Sequence, residues 1–588
     1  MAASTEQFDL VVVGAGWFGL AATKTYLEVH PDARVVLLEA ESSVGGVWGK
    51  NRLYPGLKSN NMVGTYEFSD FPMDEKTWGV KPGQHIPGQT LHNYLTAYAK
   101  KFNVLPRVRF NCKVESVERG EKGGWILKTS ANAAASMVTK KLVVATGVTS
   151  QAFLPTFEGQ ESFGEPLFHS KDFLAHADTI KTKKRVTILG GTKSAWDAVY
   201  AYAIEGVEID WVIRESGHGP CWMAPPYVTP LKKWLEKLAH VRFLTWMSPC
   251  IWGEADGYGG IRSWLHGTAV GRFLVDRFWA ILGGDLVTLN KYDSHPETAK
   301  LKPWIGAFWT GTSLSILNYD TDFFELVKGG KIKVHIADIT QLSKGKVHLS
   351  SGEVLESETL LCSTGWKHST PFTFIPSGLE SELGLPHVQT SEVEPLTEQV
   401  DAEILSLYPR LAKQPKKNEK FKPLCDTKAV LQNEESLSAL NLYRFMVPAN
   451  AELLATNDIA FAGNLMAITT AIIAQTQALW ITAYFDGKML PFSATIHSTA
   501  ELDERVTALQ HSATLHNRFG KWRYPGGWCG KIPDFVFDAL PYVDLLLKDL
   551  DLKTRRKGGW LKEISEPYGP EDYPGIVQEW LDKDKKDL

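Results

Sequence analysis

Three glycines near the N-terminus have the spacing of a turn that holds a dinucleotide. Gly14, Gly16 and Gly19 follow an apolar, valine-rich run, residues 8–13, which predicts a β-strand. The first glycine allows a tight turn, the second lets the backbone approach a pyrophosphate, and the third lets the next helix pack close to the strand. Because the N-terminus of that helix would face the phosphates, the pattern predicts a strand, turn and helix that bind a dinucleotide.

A carboxylate marks the end of the second strand of this unit. Residues 34–39 (RVVLLE) form another apolar run, and the run ends at Glu39. A carboxylate at this position accepts hydrogen bonds from an adenosine ribose and repels a 2′-phosphate. The first unit is therefore expected to bind FAD or NAD rather than NADP.

The same order of elements recurs later in the chain. A strand over 185–189 leads to a turn at Gly190, a helix over 196–204 and a second strand over 208–213. The repeated spacing predicts a second dinucleotide-binding unit.

The second unit differs from the first in its turn and in its terminal charge. Thr192 and Ala195 replace the second and third glycines, and Arg214 stands where the first unit has its carboxylate. A cation there suits a 2′-phosphate, and Lys193 in the turn offers another. A charge-assisted contact of about 1.5–3 kcal/mol corresponds to roughly 10–150-fold preference for NADP over NAD. The sequence thus predicts FAD at the first unit and NADPH at the second.

Composition indicates a folded protein of several domains. The chain has 588 residues, and 63 Lys+Arg nearly balance 67 Asp+Glu, so a broad basic face for nucleic acid is not expected. Its six cysteines form no CxxC pair, which predicts buried, reduced thiols and no zinc site. The N-terminus does not have the pattern of an export signal. The uncharged stretch 459–485 contains asparagine and glutamine, which favours a buried strand and helix over a membrane span.

The predicted fold is α/β, with two Rossmann-like domains, the NADPH domain inserted in the FAD domain, and a helical C-terminal extension. The runs 142–147 and 360–365 each predict a buried strand that ends in a small-residue turn. Residues 324–355 are expected to lead back into the FAD domain. The expected boundaries are 1–160 and 336–490 for the FAD domain, 161–335 for the NADPH domain, and 491–588 for the extension.

Three regions have no assigned chemistry. Residues 221–309 are rich in tryptophan and phenylalanine, which either line an apolar substrate channel or fill the core of a large insertion. Residues 397–438 are largely polar, with a lysine-rich centre over 411–423 (LAKQPKKNEKFKP), and are expected to be a surface excursion, with a membrane or partner contact as the alternative. The last hundred residues are expected to form a separate helical cap.

Several segments resemble the flavin-containing monooxygenases, which carry an FAD fold and an NADPH fold on one chain. Residues 39–48 (EAESSVGGVW) are similar to the family's E-x(5)-GG-x-W segment, residues 54–60 (YPGLKSN) to its YP-x(3)-SN segment, and residues 68–72 (FSDFP) to its Y-S-D-F-P segment. Residues 163–173 approach the fingerprint F-x-G-x(3)-H-x(3)-(W/F), with Glu165 where glycine belongs. His169 in this fingerprint is expected to be either a linker residue or a catalytic one.

The resemblance and the turn patterns together imply two sets of binding residues. Asn60 is implied to lie beside the flavin and to act in catalysis. The other residues expected at FAD are Gly14, Gly16, Trp17, Phe18, Gly19, Glu39, Gly46, Val47, Trp48, Ser59, Asn61, Gly147 and Gly463. Those expected at NADPH are Gly190, Thr192, Lys193, Ser194, Ala195 and Arg214. No metal site is expected.

The implied activity is NADPH-consuming oxygenation through a flavin C4a-hydroperoxide. The substrate would be a small apolar or heterocyclic molecule of specialised metabolism, oxygenated at nitrogen, sulfur or carbon with molecular oxygen. The alternatives are a Baeyer–Villiger monooxygenase acting on a ketone and a non-catalytic flavin-binding protein. A cytoplasmic protein without a transmembrane span is expected. Peripheral membrane contact stays open, and the oligomeric state is not predicted.

Overall fold

The structure is a computed structural model that describes residues 6–587, apart from 122, 132–135, 230–231, 312–313, 388–394, 425–436, 490–497 and 526–531. Cys425 and Cys529, and most of the N-terminal segment judged for an export signal, lie outside the described residues. The four described cysteines, Cys112, Cys221, Cys250 and Cys362, are buried free thiols. This result confirms the expectation for those four.

A mixed sheet contains the first glycine turn. Its central strand, Glu6–Val13, pairs in parallel with Val35–Leu38 on one side and with Ser136–Val144 on the other. The strand Ile459–Phe461 pairs with residues 142–144, so the late segment closes this sheet as predicted. In spatial order the sheet runs Thr373–Ile375, Val114–Arg119, Trp125–Thr129, Ser136–Val144, Glu6–Val13, Val35–Leu38 and Val108–Arg109.

A second, parallel sheet is inserted between strands of the first. Its spatial order is Ile332–Ile336, Glu208–Ile213, Arg185–Leu189, Leu360–Cys362 and Leu167–His169. The expected boundary at residue 335 is too early, because Leu360–Cys362 hydrogen-bonds to Arg185–Leu189 inside this sheet. The hairpin segments Ile339–Ser343, Lys346–Leu349 and Val354–Glu356 form a small antiparallel sheet just before that strand. They therefore lead to the last strand of the second sheet and not back into the first domain.

Smaller strand pairs and helices complete the fold. The pairs are Lys58–Met62 with His85–Pro87, Met223–Ala224 with Ser315–Ile316, Tyr227–Val228 with Lys233–Trp234, Leu442–Tyr443 with Val447–Pro448, and Met466–Ala467 with Asp534–Phe535. The longer helices are Trp17–Val29, Gly88–Lys101, Lys193–Ile204, Gly259–Gly267, Ala269–Asn290, Pro395–Leu407, Thr470–Phe485, Thr499–Arg523, Ala539–Asp549 and Ile576–Asp587. Short helices are Glu75–Trp78, Thr179–Thr182, Leu235–Ala239, Arg242–Thr245, Pro296–Ala299, Phe323–Lys328, Leu379–Glu382, Ala451–Thr456 and Trp560–Ser565.

The uncharged stretch that is long enough for a membrane span is a core element here. It folds as the strand Ile459–Phe461 and the helix Thr470–Phe485, which is buried along its length and packs on the helix Trp17–Val29. Among the helices of the described ranges, none combines the length and the apolar character needed to cross a bilayer.

The C-terminal region is helical, as expected, but it is not a separate cap. Leu10 of the first sheet, Trp252 of the insertion and Leu546 of the helix Ala539–Asp549 all belong to one continuous hydrophobic core. Each of these three regions has an apolar face that must be buried against another element. Because the faces are buried against one another, the three regions share one core.

Candidate functional site

One large cavity runs from the first glycine turn to the aromatic insertion. Its volume is about 690 Å³, within the range of cofactor and ligand sites. Expected FAD residues that line it are Gly14, Gly16, Trp17, Phe18, Glu39, Gly46, Val47, Asn60, Asn61, Gly147 and Gly463. Gly19, Trp48 and Ser59 lie behind this wall.

The glycine turn has the geometry that the sequence predicts. Gly14 has φ +103°, and a Cβ there would lie 2.5 Å from the carbonyl oxygen of Ala145. A Cβ on Gly46 would lie 3.2 Å from Cα of Gly16, so these two backbone segments can both approach a ligand closely. The helix Trp17–Val29 starts at Gly16 without a side-chain cap. Its first N–H groups are thus available to an anion, which fits the pyrophosphate of FAD.

Glu39 is fixed at the edge of the cavity by backbone donors. Its Oε2 accepts a hydrogen bond of 2.8 Å from the Ala15 N–H, and its Oε1 accepts one of 2.9 Å from the Glu41 N–H. Burial raises the pKa of Glu39, although these backbone donors oppose the rise. The carboxylate fits the role of a ribose acceptor because it is oriented before any ligand binds.

The segment around Asn60 combines lining residues with supporting ones. Asn60 and Asn61 lie on the strand Lys58–Met62 and line the cavity. Ser59 points away, since its Oγ donates to the Asn61 carbonyl and accepts from the Ile86 N–H at 2.9 Å. Buried Trp48 donates from Nε1 to the Tyr66 hydroxyl at 3.3 Å. Ser59 and Trp48 thus support the wall from behind.

The segment after the strand Ile459–Phe461 lines the cavity beside the first glycine turn. Gly463 has φ +75°, and a Cβ there would lie 2.5 Å from the ring of Phe18. The Gly463 N–H donates to Oε1 of buried Gln477 at 3.0 Å. Thr470, the first residue of the helix Thr470–Phe485, lines the cavity, and that helix begins without a side-chain cap. A second helix N-terminus therefore faces the cofactor cavity.

The second glycine turn forms, but away from this cavity. Gly190 has φ +133°, and a Cβ there would lie 2.5 Å from the Ser363 carbonyl oxygen. The helix Lys193–Ile204 starts at Thr192 without a side-chain cap, so its N-terminus fits a phosphate. The Lys193 Nζ is paired with Asp197 and donates to Asn318 Oδ1 at 2.9 Å. None of the expected NADPH residues, all of them described, lines the large cavity.

Arg214 follows the strand Glu208–Ile213, as expected. Its Nη2 donates to Ser216 Oγ and to the Lys422 carbonyl, both at 2.7 Å. Its Nε lies 3.3 Å from Asp338 Oδ1. The guanidinium is therefore held at the end of the strand by groups from three segments.

The lysine-rich segment 411–423 packs against the end of this strand. Asn418 donates from Nδ2 to the Glu215 carbonyl at 2.7 Å, and Lys420 pairs with the Glu215 carboxylate at 2.6 Å. Burial, and then the charges of Arg214 and Lys417, lower the pKa of His218 at the same place. The expected surface excursion thus adds positive charge where a 2′-phosphate is predicted.

The aromatic insertion forms the apolar wall of the cavity. Trp279, Leu282 and Leu286 from the helix Ala269–Asn290 line it, together with Leu314 and Ile316. Other tryptophans of the insertion, such as Trp246 and Trp252, are buried in the core instead. Trp279 therefore lines the cavity while Trp246 and Trp252 fill the core, and a substrate channel along this wall stays a prediction.

Sequence reasoning missed five charged residues on the cavity wall: Glu41, Arg52, Lys113, Lys171 and Glu236. Burial raises the pKa of Glu236 to about 7, although Trp234, Thr65, Asn61 and Met62 all donate to its carboxylate. Burial lowers the pKa of Lys171, and the charge of Arg52 lowers it further. Two sequence signals point to two of these residues. Glu236 lies in the largely apolar segment WLEKLAH, and Arg52 lies two residues before the YPG segment.

His169 is a structural residue of the second sheet. It is buried, and its Nδ1 accepts from the Lys171 N–H at 3.0 Å, which caps the turn that follows. Burial lowers the pKa of His169 to about 4, so the ring is neutral at pH 7. These contacts favour the linker role over a catalytic one. The described residues also contain no cluster of three or more His, Cys, Asp or Glu placed for a metal ion.

Comparison with known proteins gives relatives that span the chain. The sequence model of the family described as flavin-binding monooxygenase-like matches residues 8–208. The FAD-dependent monooxygenase resA of Aspergillus sclerotiorum is 34% identical, and the alignment covers 98% of each chain.

Solved structures share the fold. A closed crystal structure of cyclohexanone monooxygenase matches at a TM-score of 0.55 and 15% identity, with 93% of this chain and 97% of that chain covered. An oxidised steroid monooxygenase bound to NADP matches at a TM-score of 0.54 and 16% identity, with 92% and 97% covered. These neighbours confirm the predicted α/β architecture with two Rossmann-type domains. With a relative of this similarity over its whole length, the chain belongs to the flavin-binding, FAD-dependent monooxygenase family.

Proposed function

We propose that the protein is an NADPH-consuming monooxygenase that oxygenates a small apolar or heterocyclic molecule in specialised metabolism. The observation that carries the proposal is the shared cavity, in which the FAD-binding glycines and Asn60 face the apolar wall of the insertion. When bound, FAD would take hydride from NADPH and activate molecular oxygen. The C4a-hydroperoxide that the resemblance implies stays a prediction.

The chain's own residues would place the reactants and exclude water. The two uncapped helix N-termini, at Gly16 and Thr469, would hold the anionic parts of FAD. Trp279, Leu282 and Leu286 would exclude water from the side where substrate enters. The Asn60 amide would donate a hydrogen bond into the space between flavin and substrate.

Replacing Asn60 with alanine tests this assignment. The holoenzyme is mixed with NADPH in air without substrate, and flavin absorbance and hydrogen peroxide are followed together by stopped flow. Wild type is expected to show a delay between oxygen uptake and peroxide release. Asn60→Ala is expected to release peroxide roughly 2–12-fold faster, because one hydrogen bond contributes about 0.5–1.5 kcal/mol.

The matched control is Asn93→Ala, which removes an exposed amide on the helix Gly88–Lys101. Equal release rates in wild type and Asn60→Ala would remove Asn60 from the mechanism. Absence of NADPH oxidation in wild type would instead favour the non-catalytic alternative.

NADPH use is proposed from Arg214 and the positive charge around it. A steroid monooxygenase of the same fold is bound to NADP, which supports this choice for the second domain.

Arg214→Gln is expected to reduce the preference for NADPH over NADH by roughly 10–150-fold, the equivalent of about 1.5–3 kcal/mol. The ratio of kcat/KM for the two nucleotides measures it. Arg277→Gln, an exposed arginine on the insertion, is the control. An unchanged ratio in Arg214→Gln would remove this role.

A Baeyer–Villiger reaction is the second candidate, and the cations on the cavity wall favour it. Arg52, Lys113 and Lys171 line the cavity, and positive charge beside activated oxygen would stabilise its anionic form, which attacks ketones. Incubation with cyclic ketones and NADPH separates the candidates. Ester products would support Baeyer–Villiger chemistry, and N- or S-oxides from amines and sulfides would support the first candidate.

A further inference from the structure

The strand that carries Asn60 has little backbone support of its own. Lys58–Met62 pairs with His85–Pro87 through Lys58 and Met62, and the register shifts between those two residues. The central residues of the strand are therefore outside a regular ladder. Their position must depend on side chains from other elements.

Glu236 binds the strand on the C-terminal side of Asn60. Its Oε2 accepts from the Met62 N–H at 3.0 Å, and its Oε1 accepts from the Asn61 side-chain amide and from Thr65 Oγ1, the latter at 2.9 Å. Trp234 Nε1 donates to Oε2 at 3.0 Å. An ionised carboxylate has about four acceptor sites, so these donors occupy all of them, although the Thr65 hydroxyl shares its one proton with the Met62 carbonyl at 2.9 Å.

Glu236 could either bind substrate or position the strand, and its occupied acceptor sites distinguish these two roles. The residue lines the substrate cavity, and an acid there would be a natural ligand for an amine substrate. Its oxygens, however, are already used by four protein donors, three of them in residues 61–65. The contacts favour positioning of the strand over contact with substrate.

Asn318 binds the strand on the N-terminal side of Asn60. Its Nδ2 donates to the carbonyl oxygens of Lys58 and Ser59, each at 3.1 Å. Its Oδ1 accepts from Lys193 Nζ at 2.9 Å, and the side chain is buried. The orientation of the amide is thus set at both ends.

We propose that Glu236 and Asn318 are positioning residues that hold Asn60 at the cavity wall. Glu236 belongs to the insertion, residues 221–309, and Asn318 lies just after it; both lie beyond the part of the chain that matches the family model. The insertion and the segment that follows it would therefore control the flavin side of the cavity as well as cover the substrate. The inference rests on the proposed role of Asn60.

Two variants break the two attachments with little change in shape. Glu236→Gln replaces one acceptor oxygen with an NH₂ group, which then faces N–H donors such as Met62. Asn318→Asp places a carboxylate oxygen against the carbonyl oxygens of Lys58 and Ser59. Asn290→Asp is the matched control, because buried Asn290 also donates from Nδ2 to a backbone carbonyl, that of Met223, but does not bind this strand.

The first readout needs no turnover. Hydrogen exchange of the peptide covering residues 58–65 is measured in the purified holoenzyme by mass spectrometry. Exchange is expected to rise on the order of tenfold in Glu236→Gln and Asn318→Asp, and to stay at the wild-type rate in Asn290→Asp. Thr65→Val, which removes a single donor to Glu236, is expected to give a smaller rise. It serves as the test if Glu236→Gln does not fold.

The second readout is peroxide release in the stopped-flow experiment. Both variants are expected to release peroxide roughly 2–12-fold faster, as Asn60→Ala does. In Glu236→Gln, which does not contact the residues expected at NADPH, the KM for NADPH is expected to change less than twofold. Wild-type exchange in the variants, or raised exchange with wild-type peroxide release, would overturn the inference. If wild type itself releases peroxide without delay, the proposed function fails, and exchange of residues 58–65 alone then decides whether the two residues hold the strand.

Discussion

Gly19→Ala is expected to weaken FAD binding roughly 10–100-fold, which would leave a largely colourless protein. A Cβ at Gly19 would lie 1.8 Å from the carbonyl oxygen of Gly14, so the helix and the turn cannot keep their present distance. Overpacking of this kind costs about 1–3 kcal/mol, and each 1.4 kcal/mol is about tenfold in affinity. Because the two groups in conflict belong to the turn and the helix that are proposed to face the pyrophosphate, the cost is expected to fall on the bound cofactor. The FAD-to-protein absorbance ratio and a fluorescence titration of the apoprotein measure the effect.

The control for Gly19→Ala is another glycine inside a helix. Gly284 lies in Ala269–Asn290 with nothing within 4 Å of its Cβ position. Gly284→Ala is expected to keep full FAD content and to raise stability by about 0.5–1 kcal/mol. Full FAD occupancy in Gly19→Ala, with unchanged affinity, would mean that the close approach of helix and turn is not needed for binding.

Local motifs were predictable because spacing along the chain determines their geometry. Gly14, Gly16 and Glu39 lie in one unit of strand, turn, helix and strand, so their relative positions follow from those elements. The opposite charges of Glu39 and Arg214 likewise mark the ends of two equivalent strands. In such cases a short stretch of sequence contains all the residues of the motif.

Contacts between distant segments were not predictable in this way. Glu236 meets Met62 across 174 residues, and Asn318 meets Ser59 across 259. Neither side chain belongs to a motif, since its function depends on how the insertion packs on the first domain. The domain boundary at 335 was wrong for the same reason: the pairing of Leu360–Cys362 is decided by the sheet and not by the strand's own sequence.

Arg242 is expected to be among the most sensitive positions for stability, because it joins the insertion to the C-terminal region. It is fully buried, pairs with Asp544, and donates from Nε to Glu563 Oε1 at 2.8 Å. Burial raises the pKa of Asp544 to about 6 even though Arg242 opposes the rise. Arg242→Met would leave both carboxylates buried without their partner, at a cost of about 3–5 kcal/mol. The urea midpoint of unfolding, followed by tryptophan fluorescence, measures the loss.

The pH dependence of the stability lost in Arg242→Met distinguishes an effect of buried charge from an effect of packing. Without Arg242 the folded-state pKa of Asp544 would rise further above its unfolded value, so the folded state would bind more protons than the unfolded state. The deficit of Arg242→Met should therefore be larger at pH 8 than at pH 5, whereas a loss caused by packing alone would not change. Lys302→Met, at an exposed ion pair with Asp293, should stay within about 0.5 kcal/mol of wild type. Adding Asp544→Leu and Glu563→Met to Arg242→Met should restore much of the stability, because no unpaired charge is then buried.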